Sequence, residues 1–550
     1  MYDKCVSSFV VAVILSLLLF GLVVWTENVP PEVPLASEPA ERFSARLAAL
    51  QLGRVLGDEA PHPAGSEANR QVRRNLQKEL QLPGIEQALQ ATSACSPRYG
   101  KCGDVENVLA RVPGQVAGPV VLLMAHYDSV AAGPGAGDDG AGVVALLDIA
   151  RIVSELRLRN TVVFAFTDAE EVGLLGAEAL FGQPHAWLEN IGVVLNVEGL
   201  GSAGASRVMR LGPSSGWVLS QFLETAEAPV ASPISHVLFP HADIESDFSV
   251  SSRYGLPGLE LAFVGERQNH HSQNDTIENL SLASLQHQGE GLLSLTRRLA
   301  SMPLENQGPP ELAFMTLFRH ISSSWATRWS LPLTGISFLL LGSASALLIR
   351  RKMAGTRDLI LGAATAFISL LIVGLVAFVV GYASHAGVSG HRQVTLLVPA
   401  LAIAAAVIAA TRALGAFIRQ AVPPLVVLLG SCWCWFLGAL VTSLLVPSAS
   451  SLAVPPSLLL ACYFYLAVLL PKVRDDIWAV ASVLTVTPFS LGTASTVIAI
   501  CGYQSLAQWS LSSAAVYIGV AMYAVALVPL AGRGGSRRTS QTESVALAAV

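Results

Sequence analysis

Charge is what this chain has least of. Asp, Glu, Lys and Arg make up 13% of its 550 residues, about half the share found in ordinary soluble proteins. That excludes a wholly soluble enzyme. Neither sign dominates: the net charge is −5. No run of lysine and arginine forms the stripe that nucleic acid attracts, so no nucleic-acid partner is expected. Cysteine is sparse too, at seven residues, which excludes a disulfide-built scaffold. Apolar residues fill the gap, at 52% of the chain, and they are unevenly spread. Ser8 to Trp25 carries no charge, and from about residue 331 the chain is nearly all apolar runs. Residues 42–303 between them have an ordinary soluble composition.

These shifts set the organisation. No convincing A-x-A site follows the first run, so residues 1–26 predict a retained transmembrane helix rather than a cleaved signal peptide. Residues 27–41, rich in proline and acids, predict an extended linker, and 304–330 a second one. Residues 331–531 predict a seven-helix membrane domain, with spans at 331–349, 358–381, 393–411, 421–446, 452–470, 477–499 and 510–531. Each can cross a hydrocarbon layer of about 30 Å. Residues 532–550 form a tail. Basic residues follow alternate spans: Arg350, Arg351 and Lys352; Arg412 and Arg419; Lys472 and Arg474; Arg533, Arg537 and Arg538. His391-Arg392 is the exception. Lysine and arginine in short loops mark the cytoplasmic side. Both termini are therefore expected in the cytoplasm and residues 42–303 outside it, in a periplasm, lumen or vacuole. The spans lack an obvious buried charge relay of the transporter kind. They read as an anchor, a homo-oligomerisation surface or a path for lipophilic substrates.

Cys5, Cys432, Cys434, Cys462 and Cys501 lie in or beside membrane spans, and Cys432-x-Cys434 reads as apolar helix surface. Cys95 and Cys102 form a close pair in the soluble segment. In an oxidising compartment such a pair suggests a local disulfide; the other reading is two free thiols in a loop.

The soluble segment alternates strand and helix patterns. GPVVLLMAHYD, NTVVFAFTDAEE, IGVVLNVEG and PGLELAFVG read as strands, as does VENVLARV; GAGVVALLDIARIVSEL and LSLASLQHQGEGLLSLTRRLA read as helices. The expected fold class is α/β, a mixed, largely parallel sheet flanked by helices, plus an all-α membrane domain. Ligands of such sheets bind beyond the carboxyl ends of the strands. Metal-ligand residue types gather there: His126 in HYD, Glu171 in DAEEVG and Glu198 in NVEG. Asp138 in GAGDDGAG precedes a helix, and His271 in NHHSQNDT follows the last strand. Two imidazoles and three carboxylates suit a pair of zinc ions sharing one carboxylate, and Glu170 stands beside a ligand position, free to act as a base. Singly, each has a plain explanation as a turn, helix start or satisfied polar residue. Five together at strand ends do not. His62, His185, His236, His241 and His270 read as ordinary.

The order H-x-D, a GxxDDxxG-like loop, EE-x-G, a carboxylate after a strand, and a late His with Asp four residues on resembles the dizinc aminopeptidase and glutamate carboxypeptidase family. The resemblance covers about residues 42–303, beginning with HPAGSEANRQVRRNLQKEL. With the membrane helices, the chain is similar to the membrane-embedded metallopeptidases of the endoplasmic reticulum and vacuole. The resemblance implies a zinc exopeptidase, most simply an aminopeptidase, acting on peptides. It implies Asp138 as the bridge, Glu171 and His271 on one zinc, His126 and Glu198 on the other. Asp138 is preferred to Asp139 for its distance to Gly142, and His271 to His270 for its offset to Asp275. Asp128 would accept the other ring N–H of His126, and Glu170 would be the base. Asp247 is similar to an acidic residue near the family's cleft, although a helix N-cap role fits it as well. The resemblance also implies a strained peptide between Asp138 and Asp139, with cis as a candidate geometry. Two other functions remain open: a glutaminyl-cyclase-like zinc acyltransferase, which would bind one zinc, and a non-enzymatic membrane scaffold.

Overall fold

The computed structural model describes residues 2–33, 41–238, 245–304, 311–319, 321–386, 424–470 and 475–501. The chain divides into two compact units, Trp25–Ala326 and Met1–Val24 with Thr327–Val550.

The first unit is built on a sheet that has seven strands among the described residues. Its elements are α1 (Tyr2–Asn28, of which only the last turn belongs here), α2 (Ala45–Leu56), α3 (Glu67–Glu79), β1 (Glu86–Ser96), β2 (Lys101–Val112), β3 (Val120–His126), α4 (Ala141–Ser154), β4 (Val162–Thr167), α5 (Leu175–Gly182), β5 (Ile191–Gly199), β6 (Arg207–Leu211), α6 (Gly216–Thr225), α7 (Pro233–Leu238), α8 (Asp247–Arg253), β7 (Gly258–Phe263), α9 (Leu282–Ser301) and the hairpin β8 (Leu312–Leu317) and β9 (Ile321–Ala326). The sheet order is β1-β2-β4-β3-β5-β7-β6. β4, β3, β5 and β7 run parallel, and antiparallel strands flank them on both sides.

The parallel centre follows from composition. Every residue of β3 and β4 is buried, as uninterrupted apolar runs require when helices cover both faces. Alternate side chains serve the two layers. Val121, Leu123 and Ala125 pack with residues of α2, α4, α6 and α9. Leu122 and Met124 pack with Leu180 of α5 and Phe248 of α8. One glycine contact fixes the turn that carries Asp138: a Cβ on Gly199 would lie 1.8 Å from the Gly137 carbonyl oxygen. The end of β5 and the loop before α4 can therefore meet only without side chains.

Several expectations need correction. Residues 304–330 are not simply a linker. β8 and β9 pair there, Phe314 enters the main core, and the Thr316 hydroxyl bonds Ala231. α1 runs past residue 26 to Asn28, so the linker starts later. Its last turn is gripped by the sheet edge. Arg207, at the start of β6, donates to the Glu27 carbonyl at 2.8 Å and to Asn28 Oδ1 at 3.0 Å. The Ala205 amide donates to the Asn28 carbonyl at 2.9 Å. Arg319 donates to the carbonyls of Thr26 and Trp25 and lies over the Trp25 ring at 5.6 Å. Cys95 and Cys102 are disulfide-bonded across the end of the β1–β2 pair.

In the second unit, four helical segments among the described residues are long and apolar enough to cross a membrane: Val10–Asn28, Thr327–Arg350, Leu425–Leu445 and Pro447–Leu469. That is fewer than the eight the sequence predicts. Helices also occupy Thr356–Ala386 and Asp475–Cys501, where two more spans are expected. The expected spans 393–411 and 510–531 lie outside the described residues. Hydroxyls join the helices where apolar contact alone would be non-specific: Ser330 with Ser450 at 2.7 Å, Thr334 with Ser443 at 3.1 Å, and Thr487 with Ser16 at 3.2 Å. Leu339, Ile360 and Leu445 point outward and exposed, an arrangement suited to lipid and costly in water.

Candidate metal centre

The carboxyl ends of the parallel strands gather the expected residues. His126 ends β3 and Glu198 is one residue from the end of β5. Glu170 and Glu171 follow β4. Asp138 and Asp139 lie in a tight turn before α4, joined by a cis peptide bond. His270 and His271 follow β7, and His271 has a left-handed backbone, φ 54°.

Asp138 is the hub. Its Oδ1 lies 3.2 Å from His126 Nε2, and that nitrogen is 3.7 Å from Glu198 Oε2. Its Oδ2 lies 3.0 Å from His271 Nε2, which is 3.1 Å from Glu171 Oε1. His270 Nδ1 also stands 3.0 Å from Oδ2. Asp139 gives Oδ1 to the Gly142 amide at 3.0 Å and groups with His126 and Glu198. All five expected ligands meet in one place, and Glu170, the expected base, lines the same cavity. His270, read from sequence as ordinary, and Asp139, passed over for Asp138, stand there as well. Their only sequence signal is adjacency to a chosen residue.

Asp128 does more than the sequence suggests. The ring Nδ1 of His126 approaches the Asp128 backbone carbonyl at 3.0 Å and its carboxylate at 3.5 Å. The carboxylate instead accepts the amides of Glu170 and Glu171, at 3.0 and 3.3 Å. It fixes the backbone that carries both glutamates. Asp275 does the same for the turn, accepting the amides of Gly137 and Asp138 at 2.6 and 3.2 Å. Asp247 is the first residue of α8, with Ser246 at the N-cap position. It is buried, bonded to the Thr167 hydroxyl, and burial holds its carboxyl up at about 7.

The cluster has too many carboxyls for its imidazoles. Burial pushes Glu170, Glu198 and Asp139 well above the usual carboxylate range, and neighbouring acids add to the effect. Asp138 goes the other way. Burial opposes its charge, but His270, His126 and His271 hold it well below the usual range. Asp138 Oδ2, Glu171 Oε1, Asp139 Oδ2 and His270 Nδ1 are buried and accept or donate no hydrogen bond. Buried polar atoms normally find partners. Imidazole and carboxylate donors pointing at one another around unmet charge are a set that a zinc-class cation satisfies. The residues fit such an ion.

Residues 107–296 match the family model described as Peptidase family M28. The Vacuolar membrane protease of Candida dubliniensis is 30% identical over 329 residues, covering 57% of this chain and 34% of its own. Endoplasmic reticulum metallopeptidase 1 of Mus musculus is 31% identical over 204 residues, covering 36% of this chain and 23% of its own. Among solved structures, the glutaminyl cyclase of Porphyromonas gingivalis aligns over 47% of this chain and 99% of its own, at 20% identity and a TM-score of 0.39. The chain thus spans about a third or less of the length of these curated relatives. Residues 107–296, which contain the whole cluster from His126 to His271, are thus similar to the Peptidase family M28 domain.

Proposed function

We propose that this chain is a membrane-anchored metallopeptidase that removes residues from the ends of peptides, most simply an aminopeptidase. The observation that carries the reading is the gathering of His126, His271, Glu171 and Glu198 around Asp138, the two histidines against its two oxygens, with Glu170 adjacent and outside the ligand set. Asp138 would bridge two zinc ions, with His126 and Glu198 holding one and Glu171 and His271 the other. When bound, the ions would supply Lewis acidity and lower the pKa of a water toward neutrality. Glu170 would take the water proton and deliver it to the leaving amine. Its burial raises its carboxyl, which makes it a stronger base than an exposed glutamate. Asp128 keeps Glu170 in place through its amide.

The Glu170→Gln variant tests the reading. A general base contributes roughly 10²–10⁴-fold, so peptide hydrolysis should fall by that factor while zinc content stays unchanged. Near-normal turnover with full zinc would refute it.

We further propose that the domain faces away from the cytoplasm and that eight helices cross the membrane, with both termini cytoplasmic. The basic loops support this, as does the disulfide Cys95–Cys102, a bond of oxidising compartments.

A further inference from the structure

The edge strand β6 carries a bulge. Arg207 and Val208 pair with Ala262 and Leu261 of β7, the register then shifts, and Arg210 pairs with Glu260. Met209 is the extra residue. In an unbroken ladder Arg210 would stand opposite Leu259, on the other face of the sheet. The bulge turns it onto the face of Glu260. Across the β5–β7 pair, Asn196 stands opposite Glu260, and Glu198 shares that face two residues further along β5. The row is joined from end to end. Asn196 Nδ2 donates to Glu198 Oε1 at 3.4 Å and to Glu260 Oε1 at 3.2 Å. The Ser246 hydroxyl donates to the same Glu260 oxygen, and Arg210 Nε lies 3.0 Å from Glu260 Oε2. The side chains of this ion pair are only 11% and 2% exposed.

Stability does not account for this pair. A buried ion pair adds little that a packed apolar pair would not, and the ladder is broken to make it. Arg210 and Glu260 instead line the cavity of about 310 Å³ that Asp138, Glu170, Glu171 and Glu198 also line. Away from the metal cluster, its wall carries three cations, Lys101, Arg210 and Arg267, against two acids, Glu245 and Glu260. Glu245 is itself 3.1 Å from Arg98. The wall therefore presents net positive charge to whatever enters. A guanidinium has five N–H donors in a planar fork that fits a carboxylate. Resting on the metallopeptidase reading, we propose that Arg210 receives a carboxylate of the peptide substrate and so decides which peptides are cut. Glu260 holds the guanidinium steady. The carboxylate is either an acidic side chain beside the scissile bond or the free carboxyl end of a very short peptide. A cavity of this size is at the small end of ligand sites, which suits short peptides.

The test uses full-length, zinc-loaded protein in detergent and matched peptide pairs that differ by one charge. Alanyl-alanine against its amide probes the free carboxyl end. Alanyl-glutamate amide against alanyl-glutamine amide probes a side chain after the scissile bond, and glutamyl-alanine amide against glutaminyl-alanine amide one before it. In the native protein the charged member of at least one pair should lead its uncharged twin by at least about 10-fold in kcat/KM, the least that a hydrogen bond to a charged group brings. The pair that shows it names the source of the carboxylate. In Arg210→Gln that ratio should fall to near one, through a raised KM for the charged peptide. Glu260 loses its partner in that variant, so the double variant Arg210→Gln with Glu260→Gln, which buries no charge, should lose the preference too. A native protein that cuts the twins equally would overturn the proposal and leave the metallopeptidase reading standing. Variants that slow both members of the pair alike, with the ratio unchanged, would make Arg210 a structural residue and overturn it as well. A native protein that cuts none of the peptides would overturn both.

Discussion

Replacing Asp128 by Asn tests how Glu170 and Glu171 are held. Both Asp128 oxygens are engaged, one by the Glu170 amide at 3.0 Å and one by the Glu171 amide at 3.3 Å. The residue is 1% exposed, so water cannot substitute. In the Asn variant, one oxygen becomes an NH2 facing an N–H, a donor against a donor. A hydrogen bond to a charged group is worth about 1.5–3 kcal/mol. Losing one loosens Glu170 or Glu171 by about 2 kcal/mol. If that restraint acts mainly in the transition state, kcat/KM falls by about 30-fold. The assay is hydrolysis of a fluorogenic aminoacyl substrate at saturating zinc, which separates poor positioning from metal loss. The His126 ring keeps its contact with the Asp128 backbone carbonyl, so zinc should still load. An Asn variant with native kcat/KM would show that the two amides need no such holder.

Other outcomes follow from the same structure. Asp138→Ala should lose both metals, whereas Glu198→Ala should weaken mainly one; equal loss in both variants, measured by metal analysis, would remove the bridging role. Burial lowers the His287 pKa from 6.5 to about 4, the charges of Arg319 and Arg207 add to the effect, and the hydrogen bond of its Nε2 to the Ala228 carbonyl opposes it. The unfolded chain therefore binds the proton more readily, so this part of the stability is present above pH 6.5 and is lost as pH falls toward 4, by about 3 kcal/mol. His287→Gln should flatten that slope in unfolding midpoints measured across the window, and an unchanged slope would contradict the assignment. A periplasm-active reporter fused near residue 310 should be active, and one fused at residue 354 or at the carboxyl terminus should not; the reverse pattern would place the metal cluster in the cytoplasm.

The centre of the sheet was legible because burial on both faces leaves a plain trace. VVLLMAH and VVFAFT can hardly be anything but inner strands, and the chemistry lies at their ends. The edges left no such trace. β1 reads EQALQATSACS and alternates exposed with buried residues, and β9 reads ISSSWA and is mostly exposed. Polar edge strands look like linker, which is why 304–330 misled. α3 went unread as a helix because its strongly polar stretch, EANRQVRRNLQKE, buries only Asn69, Val72 and Leu76. At the site, ligand types could be read one by one. The convergence of His270 with His271 could not, because adjacency in a loop does not say whether two side chains diverge or stack. The second role of Asp128 was hidden for a similar reason, since it acts on backbone amides that carry no residue identity.

The grip on the last turn of α1 bears on how the domain responds to a cut in its amino-terminal tether. Cutting the chain just after Asn28 would remove no residue of the metal cluster. It would strip Arg207, which is 2% exposed, of the two oxygens it donates to, and Arg319 of both its carbonyls. A buried charge left without its partners costs about 3–5 kcal/mol, a large part of the stability of a typical domain. A domain cut there, still continuous with the membrane helices that follow it, would therefore keep its metal cluster but unfold more readily than the intact chain.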